Sequence, residues 1–182
     1  MGGNIEAEGN TEAEGNTEAT GAPSTGMNLT PERVADEAEW VRTRADVIVP
    51  LINETRAELG AAFQTDVDEV SPEMYRDAVA SVFADGDVAV NVAAYVALLR
   101  DLDVEGDYPG FVVDEVLGRE LAATIAGGTP LSLLAQATFH FADVRTHSAG
   151  GAGIDDLDAA LAAGFQTRLP GGDWRETESP FA

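Results

Sequence analysis

From about residue 30 to residue 165 the apolar positions recur at helical spacing. Val34, Ala38, Val41, Ala45, Ile48, Ile52 and Leu59 follow a 4–3–4–3 rhythm that puts them on one helix face. Thr30-Pro31-Glu32 opens that stretch as an N-cap followed by proline at the first helical position. Pro50 falls inside the register and removes one backbone donor, which predicts a kink or a close restart there. Ser71-Pro72-Glu73 repeats the start signal, and Tyr75, Ala78, Val79, Val82 and Phe83 line the helix that follows. Gly86 is read as its end and Asp87 as the cap of the next, whose inward face is Val88, Val92, Tyr95, Leu99 and Leu102. Val88, Val90 and Val92 also alternate as a strand would, so the start of that element stays open.

Pro109 opens a fourth segment, with Val113, Val116, Leu117, Leu121 and Ile125 inward, and Gly127-Gly128 ends it. Thr129-Pro130 starts a fifth, with Leu133, Leu134, Ala137, Phe141 and Val144 inward. After the glycine linker at 150–153, Ile154, Leu157 and Leu161 mark a short sixth helix. Gly164 is its expected C′ residue and Phe165 the apolar contact beyond it. The stretch from Gln166 carries a Pro170-Gly171-Gly172 turn and Trp174 and reads as an extended arm or small hairpin. The pattern therefore predicts an all-α protein. It is a single helical bundle of about six helices over 27–165, with a disordered acidic repeat tail over 1–26 and a short extended C-terminal arm over 166–182.

The tail is a period-six repeat, NIEAEG, NTEAEG and NTEATG over residues 4–21, with no apolar stripe. Such a segment buries too little to offset its ordering entropy. It reads either as a tether or as a start of translation placed upstream of Met27, where MNLTPERV begins like a domain; the second reading is preferred.

Charge changes the picture more than composition does. The chain has 33 Asp and Glu against 10 basic residues, all arginine, for a net charge of −23 and a pI near 4.1. Five of the acids and none of the arginines lie in the first 26 residues, so the body keeps −18. Like-charge repulsion of that size destabilises a compact state in dilute buffer. Molar salt shortens the screening length to about 3 Å and largely removes it. The composition resembles that of haloarchaeal cytoplasmic proteins as a class, which implies a salt-adapted archaeal protein of the cytoplasm. An acidic surface opposes binding to nucleic acid and to anionic membranes, and the arginines are scattered singly. No signal peptide is recognisable, and no run of eighteen apolar residues predicts a membrane span.

There is no cysteine, which excludes disulfides, thiolate metal sites and a cysteine nucleophile. The sharpest candidate chemistry is a His140/Asp143/His147 cation site, since those positions share a helix face, with Glu115 or Glu120 as a further ligand for a divalent metal. Against it, neither HExxH nor a paired ExxH occurs. His140 also fits the spacing of a core residue, and His147 suits a helix C-terminus. Asp101, Asp103 and Glu105 with Gly106 resemble the start of a calcium loop. The match fails where Pro109 and Val112 stand at its ninth and twelfth positions. Asp66, Asp68 and Glu69 form a second acidic cluster, read as ordinary salt-adapted surface.

The glycines at 150–153 precede a helix as in a phosphate loop, but the chain has no lysine for one. Ser132 and Ser148 have no GxSxG or SxxK context. Arg42, Arg44, Arg100, Arg119 and Arg145 are expected to pair with the many carboxylates rather than clamp an anion. A coherent bundle without a coherent catalytic set reads as a non-enzymatic module. It would act on a protein partner or as a homo-oligomer, with no cofactor; the competing reading is a small metal-dependent enzyme or metal sensor.

Overall fold

The computed structural model describes residues 26–102, 112–146 and 154–171, without the side chains of 114 and 115. It is all helical: no β-strand occurs among the described residues. The order is α1 (Pro31–Thr43), α2 (Ala45–Phe63), α3 (Pro72–Phe83), α4 (Gly86–Asp101), a π-helical turn (Val112–Gly118) running into α5 (Arg119–Ala126), α6 (Leu131–Thr146) and α7 (Ile154–Gln166). No single helix among the described residues is long and apolar enough to cross a membrane.

Two of the expected start signals act as read. Thr30 Oγ1 accepts from the Arg33 amide at 3.2 Å and Ser71 Oγ from the Met74 amide at 3.3 Å, with proline next in each case. The break in the first long stretch comes at Arg44, not at Pro50, which sits inside α2. With α1 ended, the Val41 carbonyl accepts from the Arg44 amide at 3.2 Å and from the Tyr75 hydroxyl at 3.1 Å. Gly86 does not end α3. It is the first residue of α4, Asp85 is the N-cap, and the ambiguous valines 88–92 are helical throughout.

Helix α7 is the axis of the bundle. Every residue from Asp156 to Thr167 is buried, and α6, α5 and α2 pack around it, with α4 and α3 beyond. A helix buried on all sides must be apolar or internally satisfied all round and slim enough for neighbours to close on it. The run Leu157-Asp158-Ala159-Ala160-Leu161-Ala162-Ala163-Gly164 meets that need with alanine and glycine. Gly164 is not a C′ residue: the helix runs on to Gln166. A Cβ at 164 would stand 2.8 Å from Ile125 Cβ and 3.0 Å from the Ala122 carbonyl. Phe165 is buried against Tyr75, edge to face at 5.2 Å. Gly127, at φ 89°, ends α5 as expected, its amide donating to the Ala123 carbonyl.

The inward faces of α2 and α3 match the sequence pattern, with Ile48, Ile52, Leu59, Tyr75, Val79 and Val82 in the core. In the fourth segment Val113, Leu121 and Ile125 are buried, while Val116 is exposed. Helix α6 departs furthest. Of the five residues expected inward, Leu133, Ala137, Phe141 and Val144 face solvent and Leu134 is half-buried. The buried face is Ala135, Thr138, Phe139, Ala142 and Asp143. Residues 1–25, the acidic turn 103–111, the glycine linker and residues 172–182 lie outside the described residues, and with them most of the tail and arm.

Candidate interaction face and its buried polar frame

Three polar networks, each built on a buried charged residue, hold the helices in place. Arg56 is 1% exposed, and its guanidinium donates to four carbonyls: Asp68 at 3.1 Å, Pro170 at 2.8 Å, Gln166 at 3.0 Å and Leu169 at 2.9 Å. The last three belong to the C-terminus of α7 and the turn after it, where helix carbonyls lack partners and the dipole favours a cation. The same turn is fixed by the Asp68 amide donating to the Gly171 carbonyl at 3.0 Å. Asn53 clamps the loop from the other side. Its amide nitrogen donates to the Val70 carbonyl at 3.0 Å, and its oxygen accepts from the Val70 amide at 2.8 Å.

Near its other end α7 is tied by Asp158, which accepts two hydrogen bonds from Arg44, one at 2.7 Å through Nε. Burial pushes the Asp158 carboxyl up from its ordinary range, against the opposing pull of Arg44. Glu37, on α1 and 1% exposed, is held by Arg33 at 2.7 Å and Arg100 at 2.5 Å. The guanidinium groups of Arg100 and Arg44 both lie over the Trp40 ring, at 4.4 and 4.9 Å from its centroid, so one indole links the two networks.

The outer face of α6 is different in kind. Leu133, Phe141 and Val144 are 58, 43 and 61% exposed, and Ala137 and His140 fill the stripe between them. Beside the stripe runs an open groove of about 540 Å³ lined by Glu58, Ala61, His140, Phe141, Val144 and Arg145. Its charges are spent on each other: Arg145 binds Glu58 through both terminal nitrogens, one at 2.8 Å, and reaches Glu54 at 3.1 Å through Nε. The Arg145 hydrogen bond draws the Glu58 carboxyl below its usual range, and Glu58 raises the arginine.

The described part of the nominated metal site is spread over different faces. His140 is exposed on the groove, Asp143 is buried on the inward side of α6, and Glu120 is exposed on α5. His147 and the Glu115 side chain lie outside the described residues. Among the described residues no group of three His, Asp or Glu is placed to hold a metal ion. Asp101 is within 3.6 Å of Arg33, and Asp66 lines a shallow cleft at the end of α2. Arg42, Arg44, Arg100 and Arg145 all stand in ion pairs with carboxylates, as their scatter implies. Sequence reasoning passed over Arg56, Glu37 and Asp158. The available signal was a charge at a position the helical register assigns inward, or beside a run of alanines too small to face solvent.

The match to known families is decided by one result. A family model described as a domain of unknown function (DUF7984) matches residues 27–182. The chain belongs to that family. The DUF7984 match opens at Met27, the residue from which the bundle domain is expected, and takes in every described helix. No curated protein and no solved structure matches the chain.

Proposed function

We propose that this DUF7984 protein is a non-enzymatic interaction module whose contact surface is the outer face of α6 with the groove against α2. The observation that supports this is the stripe itself. Single exposed apolar residues are ordinary on a protein surface. A stripe at i, i+4, i+8 and i+11, continuous with an apolar groove, is the pattern a helix uses to pack on another surface. The setting belongs to the same proposal. A chain of net charge −23 is suited to a salt-rich cytoplasm, where screening lets acidic surfaces approach and leaves apolar contact as the selective force.

A photo-crosslinking amino acid at Ala137, with a control at Asp77 on α3, tests the reading in cells kept at native salt. A discrete adduct, identified by mass spectrometry, is expected from position 137. It should disappear when Val144→Asp is added, and it should not form from position 77. Equal labelling from both positions, or an adduct indifferent to Val144→Asp, would overturn the reading.

A further inference from the structure

We infer that the occupant of this face is a second copy of the chain, docked antiparallel about a two-fold axis at the middle of α6. The inference rests on the interaction reading above and adds the identity of the partner.

Charge is the first argument. The chain has 33 carboxylates, yet α6 holds one, Asp143, and it is buried. The groove edge carries Glu58, ion-paired with Arg145, which Glu54 shares from the side. A basic partner would find its complementary charge on almost any other face. The outer face of α6 carries no exposed carboxylate of its own, and its neighbours Glu54 and Glu58 are both held by Arg145, so two chains of the same high negative charge meet there with the fewest charges brought together.

The order of side chains is the second argument. A two-fold contact must be self-complementary, with residue i meeting j and j meeting i. An axis between Thr138 and Phe139 sets Leu133 against Val144 of the second copy and Ala137 against His140, so large residues meet at the ends and a small one faces the imidazole near the middle. Each Phe141 then lies towards the small Ala137 side of the other copy. Every contact occurs twice.

Area sets the strength. A 16-residue helix is about 24 Å long, and a strip of roughly helix width buries a few hundred Å² per copy. A stable interface needs about 800 Å² per partner. The dimer is therefore weak, reversible and dependent on salt: it forms in molar KCl and dissociates when screening is withdrawn.

Sedimentation of the full chain across concentration, in molar and in low KCl, reads this directly. The expected result is a concentration-dependent dimer in molar KCl, shifted at least tenfold toward monomer in low salt or by Val144→Asp. Because the chain has no cysteine, register is checked by mixing a Leu133→Cys copy with a Val144→Cys copy under oxidation. That mixture should crosslink, while Leu133→Cys alone should not, its two sulfurs lying near opposite ends of the contact. A monomer at every concentration in molar KCl overturns the second copy, as does a dimer that ignores Val144→Asp. If the adduct from position 137 then proves to be another protein, the interaction reading stands and only the partner was wrong. If it proves to be the chain's own residues 172–182, the groove is covered from within and both fail.

Discussion

Helices α6 and α7 are neighbours of similar composition and opposite fate. Both are rich in alanine, leucine and phenylalanine. In α7 every side from Asp156 onward is covered, with Asp158 answered by Arg44 and the C-terminal carbonyls by Arg56. In α6 one large residue, Phe139, faces in among Ala135, Thr138 and Ala142, while Leu133, Phe141 and Val144 face out and its arginine works at the rim. The difference shows that apolar content alone does not choose the core. Close approach does: alanine, glycine and threonine let α6 and α5 close on the axis, and dense packing rewards that contact along the whole helix. The larger stripe of α6 is left over, available for something else.

The comparison breaks most severely at Arg56. Its removal leaves four carbonyls at the end of α7 without their donor, and buried acceptors left unpaired are costly. Arg56→Met should destabilise the protein by about 3 kcal/mol or more. Arg56→Lys should recover only part of that, since one ammonium has three donors and no fork. Denaturant titration at fixed high salt measures both. A loss under about 1 kcal/mol in Arg56→Met would mean that the C-terminus of α7 is held by packing instead.

A smaller effect separates two glycines. Gly164→Ala drives a Cβ into Ile125 and the Ala122 carbonyl, an overpacking that costs about 1–3 kcal/mol. Gly86→Ala meets nothing within 4 Å at the start of α4 and should stabilise by about 0.4–1 kcal/mol through the unfolded state. Thermal melts of the two variants should move in opposite directions. If Gly164→Ala melts as the parent does, the close approach of α5 to α7 is not what makes α7 central.

Much of this was legible beforehand, and the places where it was not share a cause. Periodicity with Thr-Pro and Ser-Pro starts is local physics, so the all-α class, the inward faces of α2 and α3 and the starts of α1 and α3 follow from it. The face of α6 does not, because that helix is apolar on two sides: Leu133, Ala137, Phe141 and Val144 give the stronger stripe, and Ala135, Phe139 and Ala142 the buried one. Choosing between them depends on what α7 offers, which lies more than ten residues further along the chain. Gly164 misled for the same reason. A glycine near a helix end is usually a stop, and only the nearness of Ile125 shows that it is a contact. Arg56 and Glu37 were hidden because charge is assigned outward until a buried partner is known.

If the α6 stripe is surplus to the fold, polar substitutions there should leave the monomer's stability unchanged. Leu133→Ser with Val144→Ser should shift unfolding in low salt by no more than about 0.5 kcal/mol, the range of ordinary surface changes. Phe139→Ala, two residues from Phe141 but buried, should cost about 3–5 kcal/mol. Similar losses from both would mean the stripe packs on part of this same chain.

The smallest effect lies in the sign of two acid responses. Glu58, at the rim of α6, has its folded-state pKa lowered by Arg145. Its contribution is present above the unfolded value of 4.5 and is lost as pH falls through the folded one. Asp158, beside α7, has its pKa raised by burial despite Arg44. The folded state then holds that proton more tightly than the unfolded, so its stabilising share is present below 3.8 and is lost as pH rises through the folded value. The gap in melting temperature between parent and Glu58→Gln should therefore close on acidification below about pH 4.5, by about 1–2 °C for a solvent-screened pair. The parent should gain on Asp158→Asn over the same descent. Gaps that move in the same direction would show that the two carboxylates share one environment, and that the contrast between rim and axis is not electrostatic.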